Sequence, residues 1–306
     1  MILFIVNERA GNGRGGRAWR IVERELRARG TAYEVVAERE EAEAFEKTKE
    51  ILKRGGVKAV AIIGGDGTLH GLLPLLAGSG IPLGLIPAGS GNDTARAFGL
   101  PKSPTAALDI VLTGKPRPAD LLSARLSTGE SRLTLTALAI GLDAAVAGDV
   151  NGSRYKRWCN RFGLGSLAYL IGLVRALSRY KPRTVEVTVD GTTKAYERVW
   201  LSAVSNVANY GGGLRISPGA RPDDGLLHVC VVHGCTAWQL LRVFPTILNG
   251  SHVRTRYVSI LRGAEISVSS ARPIPAFGDG EPAGEAPLDA YALPGQLLFM
   301  AAGISG

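Results

Sequence analysis

Residues 58–68 read KAVAIIGGDGT, an unbroken apolar run that stops at Gly64-Gly65-Asp66-Gly67. A short continuous apolar run is the pattern of a strand buried on both faces, as in a parallel sheet. The glycines free the backbone for a tight loop, and Leu69 to Leu76 then reads as a helix. The same strand, loop and helix order recurs on either side. Upstream, Ile2 to Val6 runs into the Gly-rich loop Ala10–Gly16 and a helix from Arg17 to Arg29. Tyr33 to Ala37 then precedes the charged helix Glu40–Arg54. Downstream, Leu83 to Ile86 leads through Pro87-Ala88-Gly89-Ser90-Gly91 into a helix over Asn92–Phe98. Strands alternating with helices predict an α/β domain with a parallel, doubly wound sheet.

The rhythm changes at Pro116-Arg117-Pro118. Short alternating strands follow at Leu121–Leu126, Leu133–Ile140, Thr184–Val189, Val199–Ser205, Leu226–Val232, Tyr257–Leu261, Glu265–Val268 and Leu297–Ala301. Their spacing by Gly, Asp and Pro predicts an antiparallel β-sandwich or barrel, with helical insertions at Leu164–Arg179 and Ala237–Leu248. The division therefore falls at an α/β domain over 1–119 and a β-sandwich domain over 120–306, the last strand being free to return to the first domain. The stretch from Arg272 to Pro287, rich in Pro, Gly and acids, reads as the least regular of the chain. There is no internal repeat.

Composition narrows the function. Of 306 residues, 45% are hydrophobic and 21% charged, which excludes wholesale disorder and fibrous structure. Lys and Arg number 36 against 27 Asp and Glu, a net +9 that favours an anionic partner such as nucleotide, nucleic acid or membrane surface. Three cysteines exclude a disulfide scaffold and suit a reducing cytosol. Neither a signal peptide nor a transmembrane helix is expected, since no run approaches about 18 apolar residues.

Two loops carry chemistry. Gly64-Gly65-Asp66-Gly67-Thr68 lies at the carboxyl end of a strand and opens a helix, where ligands of doubly wound sheets bind. Glycine backbone N–H groups and the helix start favour an anion. Asp66 alone would repel phosphate, so a carboxylate there points to Mg²⁺ between it and the phosphate. Pro87-Ala88-Gly89-Ser90-Gly91-Asn92-Asp93 repeats the arrangement, with Ser90 able to cap the helix or bond a phosphate oxygen. Asp93 either complements the helix dipole or joins Asp66. Two such loops on neighbouring strands would form one polyphosphate site.

GGDGT followed by P-x-G-[ST]-x-N-D-x-A-R resembles the diacylglycerol kinase catalytic domain, and more narrowly the bacterial soluble lipid kinases of the diacylglycerol and sphingosine kinase family. Asn7-Glu8-Arg9-Ala10-Gly11 is similar to that family's N-P-x-[SA]-G loop, Asn206–Val229 to its N-x-x-x-x-G-G-G segment, and Gly278-Asp279-Gly280-Glu281 to its D-G-E motif. The resemblance implies a NAD kinase/diacylglycerol kinase-like fold, ATP and Mg²⁺ as cofactors, and a membrane lipid hydroxyl as acceptor. Nucleotide contacts would fall on Asn7, Gly11, Gly64, Gly65, Asp66, Gly67, Thr68, Leu69, His70, Gly89, Ser90, Asn92 and Asp93. Asp66, Asp93 and Asp120 would form a water-linked Mg²⁺ network, with Asp66 also catalytic. Asp279 would be the general base. A structural Mg²⁺ would sit on Asp224 and the carbonyls of Arg221 and Leu226. The reading includes a cytoplasmic enzyme of phospholipid biosynthesis, peripherally bound to an anionic membrane and without nucleic acid; a homodimer is permitted.

From local sequence alone, Asp279-Gly280 and Asp224-Gly225 also read as ordinary turns. His70-Gly71 departs from the family's usual [NH]-E pair by lacking the acid, and Glu38 stands where a nucleotide-contacting Thr is common. GGDGT is shared with NAD kinases, which keeps a NAD kinase open as one alternative, and the missing acid at 71 keeps open a second, a catalytically silent nucleotide- or lipid-binding regulator. His228, Cys230, His233 and Cys235 lack a second zinc-spaced pair and read as core and turn residues. Residues 153–181 mix Arg and Lys with aromatic and Leu residues, a pattern that suits a helix on the sandwich or on a membrane.

Overall fold

The computed structural model describes residues 1–142, 144, 146, 177 and 179–301. Most of the expected helix Leu164–Arg179 and of the basic segment 153–181 lies outside the described residues.

The first half alternates as its sequence pattern predicts: β1 (Ile2–Val6), α1 (Ala10–Ala28), β2 (Tyr33–Val36), α2 (Glu41–Arg54), β3 (Ala59–Gly64), α3 (Asp66–Leu76), β4 (Pro82–Pro87), α4 (Asp93–Ala97) and α5 (Pro104–Thr113). β2, β1, β3 and β4 are neighbours in that order and all parallel. All of β3 is buried, and α3 lays Leu69, Leu72, Leu73 and Leu76 on it at helical spacing. The shared core joins these to Leu3, Ile5, Val60, Ile62, Leu83 and Phe299. α5 has no counterpart in the sequence reading, although Ser103 caps it and Pro104 opens it.

The second half contains β5 (Lys115–Leu126), β6 (Ser131–Thr134), β7 (Ala137–Gly141), β8 (Arg183–Val189), β9 (Thr192–Val199), β10 (Leu201–Ser205), β11 (Leu227–Val232), α6 (Ala237–Val243), β12 (Val258–Gly263), β13 (Glu265–Ser269), β14 (Ile274–Gly278), β15 (Glu281–Ala286) and β16 (Leu288–Ala301). One sheet of the sandwich is antiparallel in the order β12-β11-β10-β7-β14-β15. The other continues the parallel sheet: β16 pairs parallel with β4 at one end and antiparallel with β5 and β13 along its length. β5 runs through residue 119, so the two halves share one ten-stranded sheet rather than a flexible linker. Phe299 of β16 stacks on Phe98 with ring centroids 4.0 Å apart, inside the core of the first half.

Three sequence expectations change. The single strand expected over Leu133–Ile140 is two strands, interrupted at Leu135-Thr136. An unforeseen strand, β9, folds back on β8. The stretch expected to be least regular, Arg272–Pro287, is the β14–β15 hairpin. Its Pro282 is tolerated because β15 is the edge strand of its sheet.

Candidate active site

The carboxyl ends of β1, β3 and β4 meet. After β1, Asn7 folds its own loop by accepting the N–H groups of Arg9 and Ala10 at 3.2 and 3.1 Å, and donates to Thr68 Oγ1 at 3.0 Å. The chain then turns through left-handed Gly11, Asn12 and Gly13 before α1 becomes regular. A side chain on Gly11 would come within 2.2 Å of the Ala88 carbonyl oxygen. The loops after β3 and β4 touch through backbone alone: a Cβ on Gly65 would lie 2.8 Å from Gly89 Cα, and one on Gly89 would lie 2.4 Å from Gly65 Cα. Ala88 and Gly89 both donate to the Gly64 carbonyl, at 2.7 and 3.1 Å. Arg14 straps the first loop to the third by donating to the carbonyls of Gly11 (3.0 Å) and Gly89 (2.6 Å).

Asp66 begins α3 and caps α4, accepting the N–H groups of Asp93 and Thr94 at 3.1 and 3.0 Å. Asp93 accepts from Arg96 at 2.7 Å and from the Gly212 N–H at 2.8 Å. Both carboxylates flank Gly91, whose Cβ position is 3.1 Å from Asp66 Oδ2 and 3.5 Å from Asp93 Oδ2. Burial, and then the Asp66 charge, push the Asp93 carboxyl above its ordinary range against the Gly212 N–H and Arg96. A buried carboxyl whose proton affinity is raised by a neighbouring acid fits a divalent cation, which relieves the repulsion. Asp120 is engaged elsewhere: its two oxygens accept the N–H groups of Gly225 (2.7 Å) and Gly295 (2.9 Å). Asp224 accepts the Leu226 N–H at 3.1 Å, and the Arg221 side chain pairs with Asp223. Among the described residues no three His, Cys, Asp or Glu side chains are grouped to hold a metal directly.

Asp279 comes from the other half of the molecule. It and Gly280 form a two-residue hairpin turn with φ of 51° and 89°, the left-handed pair that Asp-Gly serves well. The turn thrusts the carboxylate into the interruption between β6 and β7. There Oδ2 accepts the Leu135 N–H (2.9 Å), and Oδ1 accepts the Thr136 N–H (2.8 Å) and hydroxyl (2.5 Å). Oδ2 also lies 3.0 Å from His70 Nδ1, one helical turn beyond Asp66 on α3. Burial works to raise the Asp279 pKa, but His70, Thr136 and Leu135 outweigh it and hold the carboxyl below its ordinary range. Next to the turn, Glu281 Oε1 is 3.8 Å from the Cβ position of Gly67, so the hairpin tip rests on the GGDGT helix.

Several expected contacts are refined. The Leu69 side chain is core, 1% exposed, so only its backbone is left for a ligand. The Ser90 side chain is exposed, whereas Asn92 donates to the Gly89 carbonyl at 2.9 Å and leaves its Oδ1 buried without a partner. Glu38 pairs with Lys47. Burial pushes the Cys230 thiol up to about 12, the opposite of what a metal-bound thiolate needs. Sequence reading gave no role to Arg14, Thr136 or Arg96. Arg96 lies 3.3 Å from the Cβ position of Gly213 and docks the second half's glycine loop. Arg14, a cation inside a glycine-rich loop, and Arg96, the last residue of the P-x-G-[ST]-x-N-D-x-A-R motif, carry a local signal, and Thr136 does not.

Residues 1–124 match the family model described as the diacylglycerol kinase catalytic domain, and residues 136–301 match the YegS C-terminal NAD kinase beta sandwich-like domain. A diacylglycerol kinase of Mycobacterium tuberculosis is 37% identical over 246 residues, spanning 80% of this chain and 77% of that protein. A crystal structure described as a diacylglycerol kinase from Bacillus anthracis superposes with a TM-score of 0.72 at 20% identity, covering 98% of this chain and 96% of that one. An Archaeoglobus fulgidus NAD kinase solved in complex with ATP superposes at 0.54 with 15% identity, covering 98% and 93%. At these identities the two structures speak for the fold.

Proposed function

The chain belongs to the diacylglycerol kinase catalytic-domain family of lipid kinase-like phosphotransferases, and from that premise we propose that it transfers the γ-phosphate of ATP to the hydroxyl of a membrane lipid such as diacylglycerol. The observation that carries this reading is the contact of His70 with Asp279. It brings a carboxylate of the sandwich onto the helix that starts at the glycine loops. Phosphoryl transfer asks mainly for positioning and charge neutralisation. Backbone N–H groups of the loops at Gly11 and Gly65, with the α3 start, would face the triphosphate, and the loop at Gly89, bonded to the Gly64 carbonyl, braces them. Mg²⁺, when bound, neutralises phosphate charge; Asp66 and Asp93 would hold it, through water. The Asp224 turn, with the carbonyls of Arg221 and Leu226, would take a second, structural Mg²⁺. Asp120 serves that turn by holding Gly225. The acceptor's proton leaves at Asp279.

The lipid reaches the site from a bilayer. Trp238 and Leu248, 77% and 67% exposed on one helical insertion, supply apolar anchors beside Arg242 and Arg254 of a chain with net charge +9. That combination supports peripheral contact of a cytoplasmic enzyme with an anionic membrane, in a phospholipid-synthetic role. Among the described residues no helix is long and apolar enough to cross a membrane.

A panel of diacylglycerol, monoacylglycerol, phosphatidylglycerol, sphingosine and polyprenol, each in mixed micelles with radiolabelled ATP and Mg²⁺, tests the proposal. Label is expected in one or more lipids, diacylglycerol first, and none in NAD. Transfer to NAD alone would make the chain a NAD kinase, and transfer to nothing would leave the silent regulator.

A further inference from the structure

The two N–H groups that hold Asp279 are themselves held. Leu135 and Thr136 lie between the last paired residue of β6, Thr134, and the first of β7, Ala137. The carbonyls of both go to one residue, Asn206. Its backbone N–H donates to the Thr136 carbonyl at 2.8 Å, and its Nδ2 donates to the Leu135 carbonyl at 2.9 Å. The Leu135 carbonyl and the Thr136 N–H belong to one planar peptide group and point in opposite directions. Asn206 therefore fixes, at its oxygen end, the peptide whose hydrogen end reaches Asp279 Oδ1 at 2.8 Å. Hydrogen bonds in such a chain polarise one another, so the bond from Asn206 also strengthens that N–H as a donor. Asn206 Nδ2 donates as well to the Asp120 carbonyl at 2.8 Å. Asp120 is immobilised in turn: its N–H donates to the Pro222 carbonyl at 2.6 Å, and its carboxylate accepts from Gly225 and Gly295. Two carbonyls fix the sense of the amide, because its oxygen in that place would meet only acceptors. Asn206 is 0% exposed, so solvent does not compete for these bonds.

We propose that Asn206 is a positioning residue for phosphoryl transfer: its side-chain amide ties the Leu135–Thr136 peptide to the Asp120 turn and so sets where the Asp279 carboxylate stands. This inference rests on the lipid-kinase reading, with Asp279 as the proton acceptor, and adds the part that aims it. Three of the four bonds to the carboxylate come from Leu135 and Thr136, so a peptide that tilts takes the carboxylate with it. The fourth comes from His70 on α3 and does not hold the hairpin turn to its own sheet. Misplacing a reacting group by about 1 Å costs about 10²-fold in rate, which is the scale on which such a tie matters.

Asn206→Ala removes the side-chain donors and keeps the backbone N–H on the Thr136 carbonyl. With saturating ATP and diacylglycerol micelles its kcat is expected to fall about 10- to 100-fold. The KM for ATP should stay near the wild-type value, because the glycine loops stand apart from this tie. Made on the Asp279→Asn background, the same substitution should cost about twofold or less, since the carboxylate it positions is already gone. A second measurement needs no turnover. By NMR of protein isotopically labelled on its threonines, the Thr136 amide proton, identified by its loss in Thr136→Ser, should move upfield in Asn206→Ala as its bond to Asp279 weakens. Asn206→Ser, whose hydroxyl serves one of the two carbonyls, should fall between wild type and Asn206→Ala in both measurements. A Thr136 amide unmoved in Asn206→Ala, or a loss of kcat equally large on the Asp279→Asn background, would overturn the proposal. So would failure of both Asn206 variants to fold, which would make Asn206 a residue of the fold alone. If wild type phosphorylates no lipid, the lipid-kinase reading itself has failed, and the Thr136 amide then decides the link between Asn206 and Asp279 by itself.

Discussion

Gly89→Ala is expected to weaken ATP binding about 10- to 100-fold or more, while the sandwich stays folded. The added methyl would sit 2.4 Å from Gly65 Cα and 2.9 Å from Asn92 Oδ1. The nearer neighbour is backbone, so no rotamer change relieves the clash, and the loops after β3 and β4 must separate. Forcing a methyl into a packed region costs about 1–3 kcal/mol. At about 1.4 kcal/mol per tenfold, that range spans one to two decades of affinity when the binding geometry absorbs it. Gly71→Ala, on the same helix as Asp66, meets nothing within 4 Å and is the matched control. Calorimetric titration with a non-hydrolysable ATP analogue reads the difference. Equal affinities for Gly89→Ala and wild type would show that the junction of these loops does not hold the nucleotide.

Asp279→Asn is expected to lower kcat about 10²–10⁴-fold. Asparagine accepts the left-handed φ of 51° better than most residues, so the turn survives. Its amide, however, sets a donor against one of the N–H groups of Leu135 and Thr136, a mismatch that costs about 1–3 kcal/mol. The stability loss should depend on pH. Asp279 has a depressed pKa, so its contribution is present above about pH 3.9, the unfolded value, and is lost as pH falls through the lower folded one. His70 has a raised pKa, so its contribution is complete below about pH 6.5 and is lost as pH rises through the higher folded value. The gap in Tm between wild type and Asp279→Asn should therefore be widest between about pH 4 and pH 6.5. Scanning calorimetry across pH 3–9 measures it; a gap independent of pH would mean that the pair is not charged in the folded protein.

The readable parts of this chain are those whose signal is local. A buried strand ending in glycines marks β3, and the same pattern finds β1 and β4, hence the three loops of the site. Asp66 stands out because a lone acid in a glycine loop would repel phosphate unless a metal stands between them, whereas Asp93 also suits a helix dipole and Asp279 an ordinary turn, and the family resemblance is what singles them out. Long-range pairing is what escapes. β16 returns to β4 from more than two hundred residues away, and no local pattern announces such a register. The break at Leu135-Thr136 is hidden because the residues on both sides continue a strand-like apolar pattern, yet those two N–H groups hold Asp279. The β14–β15 hairpin was obscured by its composition, although Asp279-Gly280 is itself a strong hairpin signal. The family resemblance implies Asp120 as a third acid of the metal network, and no local pattern shows that its oxygens accept the N–H groups of Gly225 and Gly295.

A crystal structure of the chain with a non-hydrolysable ATP analogue and Mg²⁺ tests the central claim most directly. The triphosphate should lie against the backbone of Gly11, Gly65 and Gly89, with its terminal phosphate turned toward His70 and Asp279. A nucleotide seated on another surface, or one whose terminal phosphate points away from the β14–β15 hairpin, would contradict it.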